Sequence, residues 1–447
     1  MYNDMNRRAK DLSLRDITRL FLTFSVMVVV TAVMAGAFGV LTGNAFLKKV
    51  HPYLFFAGFG NTAILLLNRY LTSAIYPELR IDPVRQRRYL YAVSAALVMI
   101  TASVLADLPL LKAAAGFMMI VVVIGPLSEI LVTVPLPKIW GNVSGRYYVF
   151  DVIFLLVANI GLFTLGLKEA FPSFGVIPFF VTQSSYFLGS SFPLSISVMG
   201  FLYTYAWRTT PKMELARKLF SIWFYIFVGG VLFFLVVILA GHYLSMMLIS
   251  HFLMFGVIVL MVTFAYFLNN YFRSSFAHPA LAFLLSGLAF LFATSAYGIM
   301  NIYYGQGILF GTYPPIRADK MWIYHSHTHA ALLGWITLSF SGMIYIVIPA
   351  IQKTGSLELL QSGDPLEQLL DRSTMSKAFV QLTVMLISAA TIILSLYTGE
   401  VVSLGIGGVV YGAAIYYLRR NILRDPTIDM MGLRSRNDGE SQKGVST

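Results

Sequence analysis

The residues best suited to chemistry in this sequence are its histidines, and three of them form the cluster His325-Ser-His327-Thr-His329. Neutral imidazole is the commonest protein ligand for metals, including haem iron. On a helix, residues two apart point about 200° apart, whereas residues four apart lie about 40° apart. We therefore expect His327 and His329 to face opposite sides of one helix and to ligate two cofactors, with His325 on the His329 face.

The elements that must position these histidines are membrane helices. The chain has 447 residues, 57% of them hydrophobic, and a mean hydropathy of +0.75, which leaves too little polar side chain to cover a soluble globule. Polar breaks separate twelve apolar runs of about 20 residues or more. We therefore predict an all-α polytopic membrane protein. The predicted spans are 17–43, 52–77, 88–106, 110–134, 147–171, 180–207, 219–244, 247–269, 280–304, 321–350, 378–398 and 401–421.

The sequence divides into three parts. Residues 1–16 are predicted to form a cytoplasmic N-terminal segment, 17–421 the transmembrane domain, and 422–447 a polar, disordered cytoplasmic tail. The weakest break is Gly241-His242-Tyr243-Leu244-Ser245, which interrupts an apolar run of about 50 residues. A single helix of that length does not suit a bilayer, so we predict a tight hairpin there.

The orientation of the chain in the membrane explains its net charge of +12. If both termini are cytoplasmic, only six of the 32 Lys and Arg residues fall on the outer side: Lys48, Lys49, Lys112, Lys168, Arg317 and Lys320. This asymmetry follows the positive-inside rule and predicts a multi-pass cell-membrane protein, with no need for a nucleic-acid partner. The absence of cysteine excludes disulfides, iron–sulfur clusters and covalently attached haem.

Six of the seven histidines fall at one predicted membrane level. His51 opens the second predicted helix, His242 closes the seventh, His251 lies in the outer part of the eighth, and the cluster of three begins the tenth. Only His278 lies at the inner side, where we expect a solvated interfacial histidine. Ionisable residues inside a membrane are costly and usually functional, so a shared cofactor layer near the outer face is the favoured explanation.

Two sequence patterns carry a family resemblance. His327-Thr-His329 is followed by Ala330-Ala-Leu-Leu-Gly334-Trp335 and then by Gly342-Met-Ile-Tyr345-Ile-Val-Ile-Pro349. The second predicted helix opens with His51-Pro-Tyr-Leu-Phe-Phe-Ala-Gly58-Phe-Gly60-Asn61. In these two helices the chain resembles subunit I of the haem-copper oxidase superfamily, nearest the cbb-type cytochrome c oxidases and the related nitric oxide reductases. The resemblance implies a twelve-helix bundle.

The resemblance also implies ligand roles. His51 and His329 would be the axial ligands of a low-spin haem, and His327 the proximal ligand of a second haem. The copper site of the family does not carry over, because Gly189 is followed by Ser190 and the Ala-Gly before the family's histidine pair is followed by His242-Tyr243. A single imidazole does not make a copper site, so we expect two non-covalent b-type haems and no copper. His242, or alternatively His251, would then be the sixth ligand of the second haem.

Charged residues near these histidines have candidate roles. Haem propionates attract cations, for which Lys48, Lys49, Arg317 and Lys320 are the candidates at the outer side. Each of these could equally be a solvated loop residue. His325 is expected either to support the neighbouring ligand His329 or to bind a propionate. Buried carboxylates are few, namely Glu129 and Asp151, which argues against a proton pump. Glu129 is as compatible with a structural role as with a proton site.

These patterns favour an electron-transfer cytochrome that relays electrons between quinol and an exported cytochrome or other redox subunit. Membrane b-type cytochromes of some archaeal respiratory chains are a similar arrangement. Two alternatives stay open: a terminal oxidase or nitric oxide reductase with an atypical active site, and a secondary transporter, since twelve helices with both termini inside is also a transporter plan.

Overall fold

A computed structural model describes residues 13–173, 194–209, 212–240, 242–271, 278–305, 321–354 and 369–423. Within these ranges the regular structure is helical throughout, and eleven helices are long and apolar enough to cross a membrane. The chain is therefore a multi-pass membrane protein. The eleven spans are Leu14–Thr42, Ala45–Ile75, Pro83–Ala106, Pro109–Thr133, Val143–Ala170, Met213–Val237, Tyr243–Phe267, Pro279–Tyr304, Trp322–Lys353, Arg372–Thr398 and Val401–Leu423.

The sixth predicted span, 180–207, is the one that these eleven leave out. Residues 180–193 lie outside the described ranges, and the helix Ser195–Thr209 that follows contains a short apolar stretch, Ser195–Thr204. The twelfth crossing therefore stays a prediction. The predicted hairpin in the long apolar run is confirmed, because one helix ends at Leu239 and the next begins at Tyr243 and packs against it.

The turn between the first two helices sets the position of His51. Gly43, with a φ of +69°, ends the first helix, and the Asn44 side chain caps the second by accepting a hydrogen bond from the Leu47 N–H at 3.0 Å. The second helix therefore starts at Ala45. The start at 52 that the apolar pattern predicts is wrong. The apolar pattern misses this start because Lys48 and Lys49 lie in the first turns. His51 consequently lies inside the helix and does not open it.

The helix that carries the histidine cluster is the centre of the bundle. It runs through Met321–His329, the π-helical Ala330–Thr337 and Leu338–Thr354, and every residue in 330–352 is buried. Its Trp335 indole donates to Ser195 Oγ at 2.8 Å, and Tyr411 OH donates to the Leu333 carbonyl at 2.5 Å. The first helix packs against the last one, Val401–Leu423. Neighbours on all sides therefore fix this central helix.

The two carboxylates predicted to be buried both have partners in the structure, although Glu129 is 20% exposed and only Asp151 is fully buried. Glu129 pairs with Arg69 at 2.5 Å and with Arg85 at 2.8 Å. Asp151 accepts hydrogen bonds from the Leu194 N–H at 2.6 Å and from the Ser197 hydroxyl, at the start of the helix Ser195–Thr209. Both carboxylates hold helices together, which favours the structural role for Glu129.

Replacing Glu129 with glutamine tests that role. The Arg69 side chain is only 4% exposed, so E129Q leaves a buried guanidinium without its counter-charge and should lower the free energy of unfolding by about 3 kcal/mol. E78Q is the matched control, because it breaks the more exposed Glu78–Lys138 pair and should cost less than about 1 kcal/mol. The measurement is denaturant unfolding in detergent micelles. Equal losses in the two variants would refute the structural role.

His278 is the one histidine whose predicted environment is wrong. It is fully buried, and its Nδ1 accepts a hydrogen bond from the Ala280 N–H at 3.3 Å, as the cap of the helix Pro279–Gly305. Its Nε2 has no partner among the described residues. Packing of the neighbouring helices, which no local sequence pattern reveals, covers the ring. This burial lowers the pKa of His278 to about 4.

The lowered pKa of His278 predicts a pH dependence of stability. The unfolded chain binds the proton near pH 6.5 and the folded chain only near pH 4, so the fold loses stability as the pH falls from 6.5 to 4. The loss amounts to about 3 kcal/mol at most. H278Q should remove this part of the acid destabilisation in unfolding curves measured between pH 7 and pH 4. An unchanged pH profile in H278Q would contradict the assignment.

Candidate functional site

His51 and His329 come from different helices and line the same cavity. The cavity has a volume of about 750 Å³ and is bounded by the first two spans, the central helix and the last two spans. That volume lies within the ~300–1,000 Å³ typical of sites for cofactors and small ligands. The walls are largely apolar, including the side chains of Phe55, Phe56, Leu332, Leu333 and Leu396. We refer to this space as the His51–His329 cavity.

Hydrogen bonds fix the tautomer of both imidazoles. His51 Nδ1 lies 2.8 Å from the Lys48 carbonyl oxygen, and His329 Nδ1 lies 2.8 Å from the His325 carbonyl oxygen. A carbonyl can only accept, so each Nδ1 carries a proton, and in the neutral imidazole the Nε2 then keeps its lone pair. This is the form in which a neutral imidazole ligates a metal, and such bonds also fix the orientation of the ring.

Backbone features that the sequence reasoning missed surround these two residues. A Cβ added at Gly36 would lie 3.3 Å from His51 Cδ2, so the absence of a side chain lets the first helix approach the ring. π-helical segments follow both histidines: Leu54–Gly60 begins three residues after His51, and Ala330–Thr337 begins directly after His329. Such segments are frequent at functional sites. In the sequence, the close approach to His51 is marked only by a glycine, Gly36, within an apolar run.

His327 faces a different helix from His329, as its spacing predicts. Its Nδ1 lies 2.8 Å from the carbonyl oxygen of Thr294 on the helix Pro279–Gly305. In an α-helix this carbonyl points toward the residue four positions later, which is Gly298. A Cβ at Gly298 would lie 3.1 Å from His327 Cε1, so glycine gives the imidazole room to reach the carbonyl. The Nε2 lone pair of His327 is thereby left for a ligand.

The residues predicted to bind haem propionates fall into three groups by their position in the structure. Lys48 and His325 line the His51–His329 cavity, and the rings of His325 and His329 have centroids 6.3 Å apart. Lys49 is exposed and is not among the residues that line the cavity. Arg317 and Lys320 lie outside the described ranges. Lys48 and His325 are therefore the candidates that the geometry favours.

The predicted sixth ligands lie near the same end of the bundle but are exposed. His242 Nδ1 is 2.8 Å from Ser245 Oγ, and His251 Nδ1 is 2.7 Å from the Met247 carbonyl oxygen. Tyr303 OH lies 3.5 Å from His251 Nε2. The pairing of His242 or His251 with His327 stays a prediction. Gly189, Ser190 and Gly241, used for the copper comparison, lie outside the described ranges.

The donor set suits a cofactor that brings its own equatorial ligands. In the described part of the chain, no group of three His, Asp or Glu side chains is arranged to hold a bare metal ion. A haem needs only axial imidazoles, because the macrocycle supplies the other ligands. The fold and the site together define a multi-pass helical membrane protein in which two helices present imidazoles to one apolar cavity. No protein-family model matches the chain, and a search of curated proteins found no match.

The contact between Gly298 and His327 can be tested by adding a side chain. G298L places bulk against the imidazole and should separate His327 from the Thr294 carbonyl, which we expect to lower the free energy of unfolding by about 1–3 kcal/mol. G229L is the matched control, because a Cβ at Gly229 meets no atom within 4 Å. Thermal unfolding in detergent measures both. A destabilisation of the same size in G229L would show that the effect is not specific to His327.

Proposed function

We propose that this chain is a membrane di-haem b-type cytochrome that relays electrons between quinol and an exported redox partner in a respiratory complex. One observation carries the proposal: two half-buried imidazoles from different helices face one apolar cavity, each with its Nδ1 bonded to a carbonyl and its Nε2 left to ligate a metal. Haem b, when bound, takes up and releases one electron as its iron changes between the ferrous and ferric states.

The residues around the His51–His329 cavity have separate tasks in this proposal. His51 and His329 would hold the iron of a low-spin haem through their Nε2 atoms. Phe55, Phe56 and the other apolar wall residues exclude water from the ring. Lys48 and His325 lie where they can bind propionates, since a cation and a ring N–H both suit a carboxylate.

His327 holds the second haem on the other side of the central helix. The Thr294 carbonyl fixes its orientation from a neighbouring helix, which makes the ligand more basic and more rigid. His242 is the proposed sixth ligand and His251 the alternative. A second haem held by His327 and one of these two histidines would have no open site, and it would then supply electron transfer and not oxygen reduction.

The orientation is part of the proposal. Twelve crossings with both termini in the cytoplasm put the histidines near the outer face of the cell membrane, where an exported partner can reach a haem edge. The charge asymmetry supports this orientation. Lipid contact is supported by large exposed apolar side chains on the spans, among them Val98, Leu105 and Val132. Quinol can reach the protein through the same lipid phase.

Ligand variants test the proposal. The wild type should bind two haems per chain, measured as the pyridine haemochrome per mole of protein. H51G and H329G should each lose the same haem, and H327G should lose the other. Imidazole in the buffer should restore the haem spectrum in the glycine variants, a rescue that a purely structural role would not produce.

H278A is the matched control, because it removes a buried histidine at the opposite end of the bundle and should keep both haems. Gel filtration separates loss of haem from loss of fold. Wild-type protein without haem, or full haem content in H51G and H329G, would overturn the proposal.

A further inference from the structure

A groove of about 890 Å³ runs between the last two spans, Arg372–Thr398 and Val401–Leu423, away from the His51–His329 cavity. Its walls are apolar along much of their length, with Val380, Val384, Val409, Val410 and Ala413 among the lining residues. Val380 is 62% exposed and Val410 is 41% exposed, so the groove opens on the surface that faces lipid. The groove therefore has the dimensions and the walls to hold acyl chains.

Two cations lie at one end of this groove. Lys377 follows the start of one helix at Arg372 by five residues, and Arg420 precedes the end of the other at Leu423 by three residues. Because the two helices are antiparallel, both cations lie at the same membrane boundary. This is the end of the bundle opposite His51 and the cluster His325–His329, and the positive-inside rule predicts it to be cytoplasmic.

The two cations of the groove have no acidic partner among the described residues. Neither Lys377 nor Arg420 forms an ion pair in the described part of the chain, and no carboxylate is among the residues that line the groove. The Arg420 guanidinium lies 5.6 Å from the centroid of the Tyr417 ring, which leaves its N–H groups available to an anion. The groove thus combines an apolar trough with a cationic end.

The floor of the groove adds fixed polar groups. Gln381 is 4% exposed and Asn421 is 6% exposed, and both line the groove. Tyr345 OH donates to Gln381 Oε1 at 2.5 Å, and Asn421 Nδ2 lies 3.0 Å from Tyr345 OH. Among the described residues, Gln381 Nε2 has only a thioether as acceptor, Met385 Sδ at 3.7 Å. A buried amide N–H with so weak a partner favours an oxygen-rich ligand group beside it.

We propose that this groove is a binding site for an anionic phospholipid of the leaflet at this end. Its phosphate lies between Lys377 and Arg420, and its acyl chains lie along Val380, Val384 and Val410. Basic pockets between transmembrane helices at the cytoplasmic side are suited to such headgroups. The proposal is independent of haem binding. It implies that the packing of the last two spans, and so one wall of the His51–His329 cavity, depends on lipid composition.

The test uses the full chain in nanodiscs of phosphatidylglycerol and phosphatidylcholine in equal amounts, with retained lipid counted by native mass spectrometry. The wild type should retain phosphatidylglycerol in preference to phosphatidylcholine. K377Q/R420Q should reduce this preference by roughly 10- to 30-fold, since each cation near a charged headgroup strengthens binding by about three- to fivefold. A413W keeps both cations but fills the groove, and it should also lose the retained lipid.

R88Q/R372Q is the matched control, because it removes two exposed cations that do not line the groove. It should keep the wild-type preference. Equal retention of the two lipids by the wild type would overturn the proposal, and so would a loss in R88Q/R372Q as large as that in K377Q/R420Q. Wild-type retention in A413W would also overturn it. The two binding variants act through different groups, so misfolding of one leaves the other as a test.

Discussion

The hydrogen bond from an imidazole Nδ1–H to a backbone carbonyl is the interaction on which the proposed chemistry depends. It occurs at His51, His327 and His329, and each time it leaves the Nε2 lone pair for a ligand. Inside a membrane, where water is absent, backbone carbonyls are the most abundant hydrogen-bond acceptors, since every residue of a helix carries one. Two of these bonds stay within one turn of the same helix, whereas His327 reaches across to Thr294. The orientation of the His327 ring therefore depends on the packing of a second helix, whereas the hydrogen bonds of His51 and His329 form within their own helices.

The rest of the bundle can be understood as a frame that holds these three rings at fixed positions. The central helix is enclosed by its neighbours, so a rotation that would move His327 or His329 has to displace buried side chains such as Trp335 and Tyr345. Ion pairs and amide pairs reinforce the frame away from the site. Asn61 and Asn159, for example, bond to each other through both amide groups, at 3.2 and 2.8 Å.

Much of the fold and part of the site can be predicted from the sequence, because both depend on local periodicity. Apolar length gives the eleven spans, and the spacing of His327 and His329 gives their opposite directions. What the sequence does not reveal depends on neighbours that are distant in the chain. The contact of Gly36 with His51, the carbonyl of Thr294 and the burial of His278 are set by packing between helices. The early start of the second helix depends on a single cap, Asn44, which outweighs the polar residues that follow it.

The most direct test of the account is an absorption spectrum of the purified wild-type protein, oxidised and dithionite-reduced, with and without carbon monoxide. The account predicts a Soret band and the sharp α band of low-spin haem b on reduction, both unchanged by carbon monoxide because the proposal assigns a histidine to every axial position. A shift of the reduced Soret band with carbon monoxide would reveal an open site and favour an oxidase or nitric oxide reductase. The complete absence of a Soret band would contradict the central claim and favour a transporter.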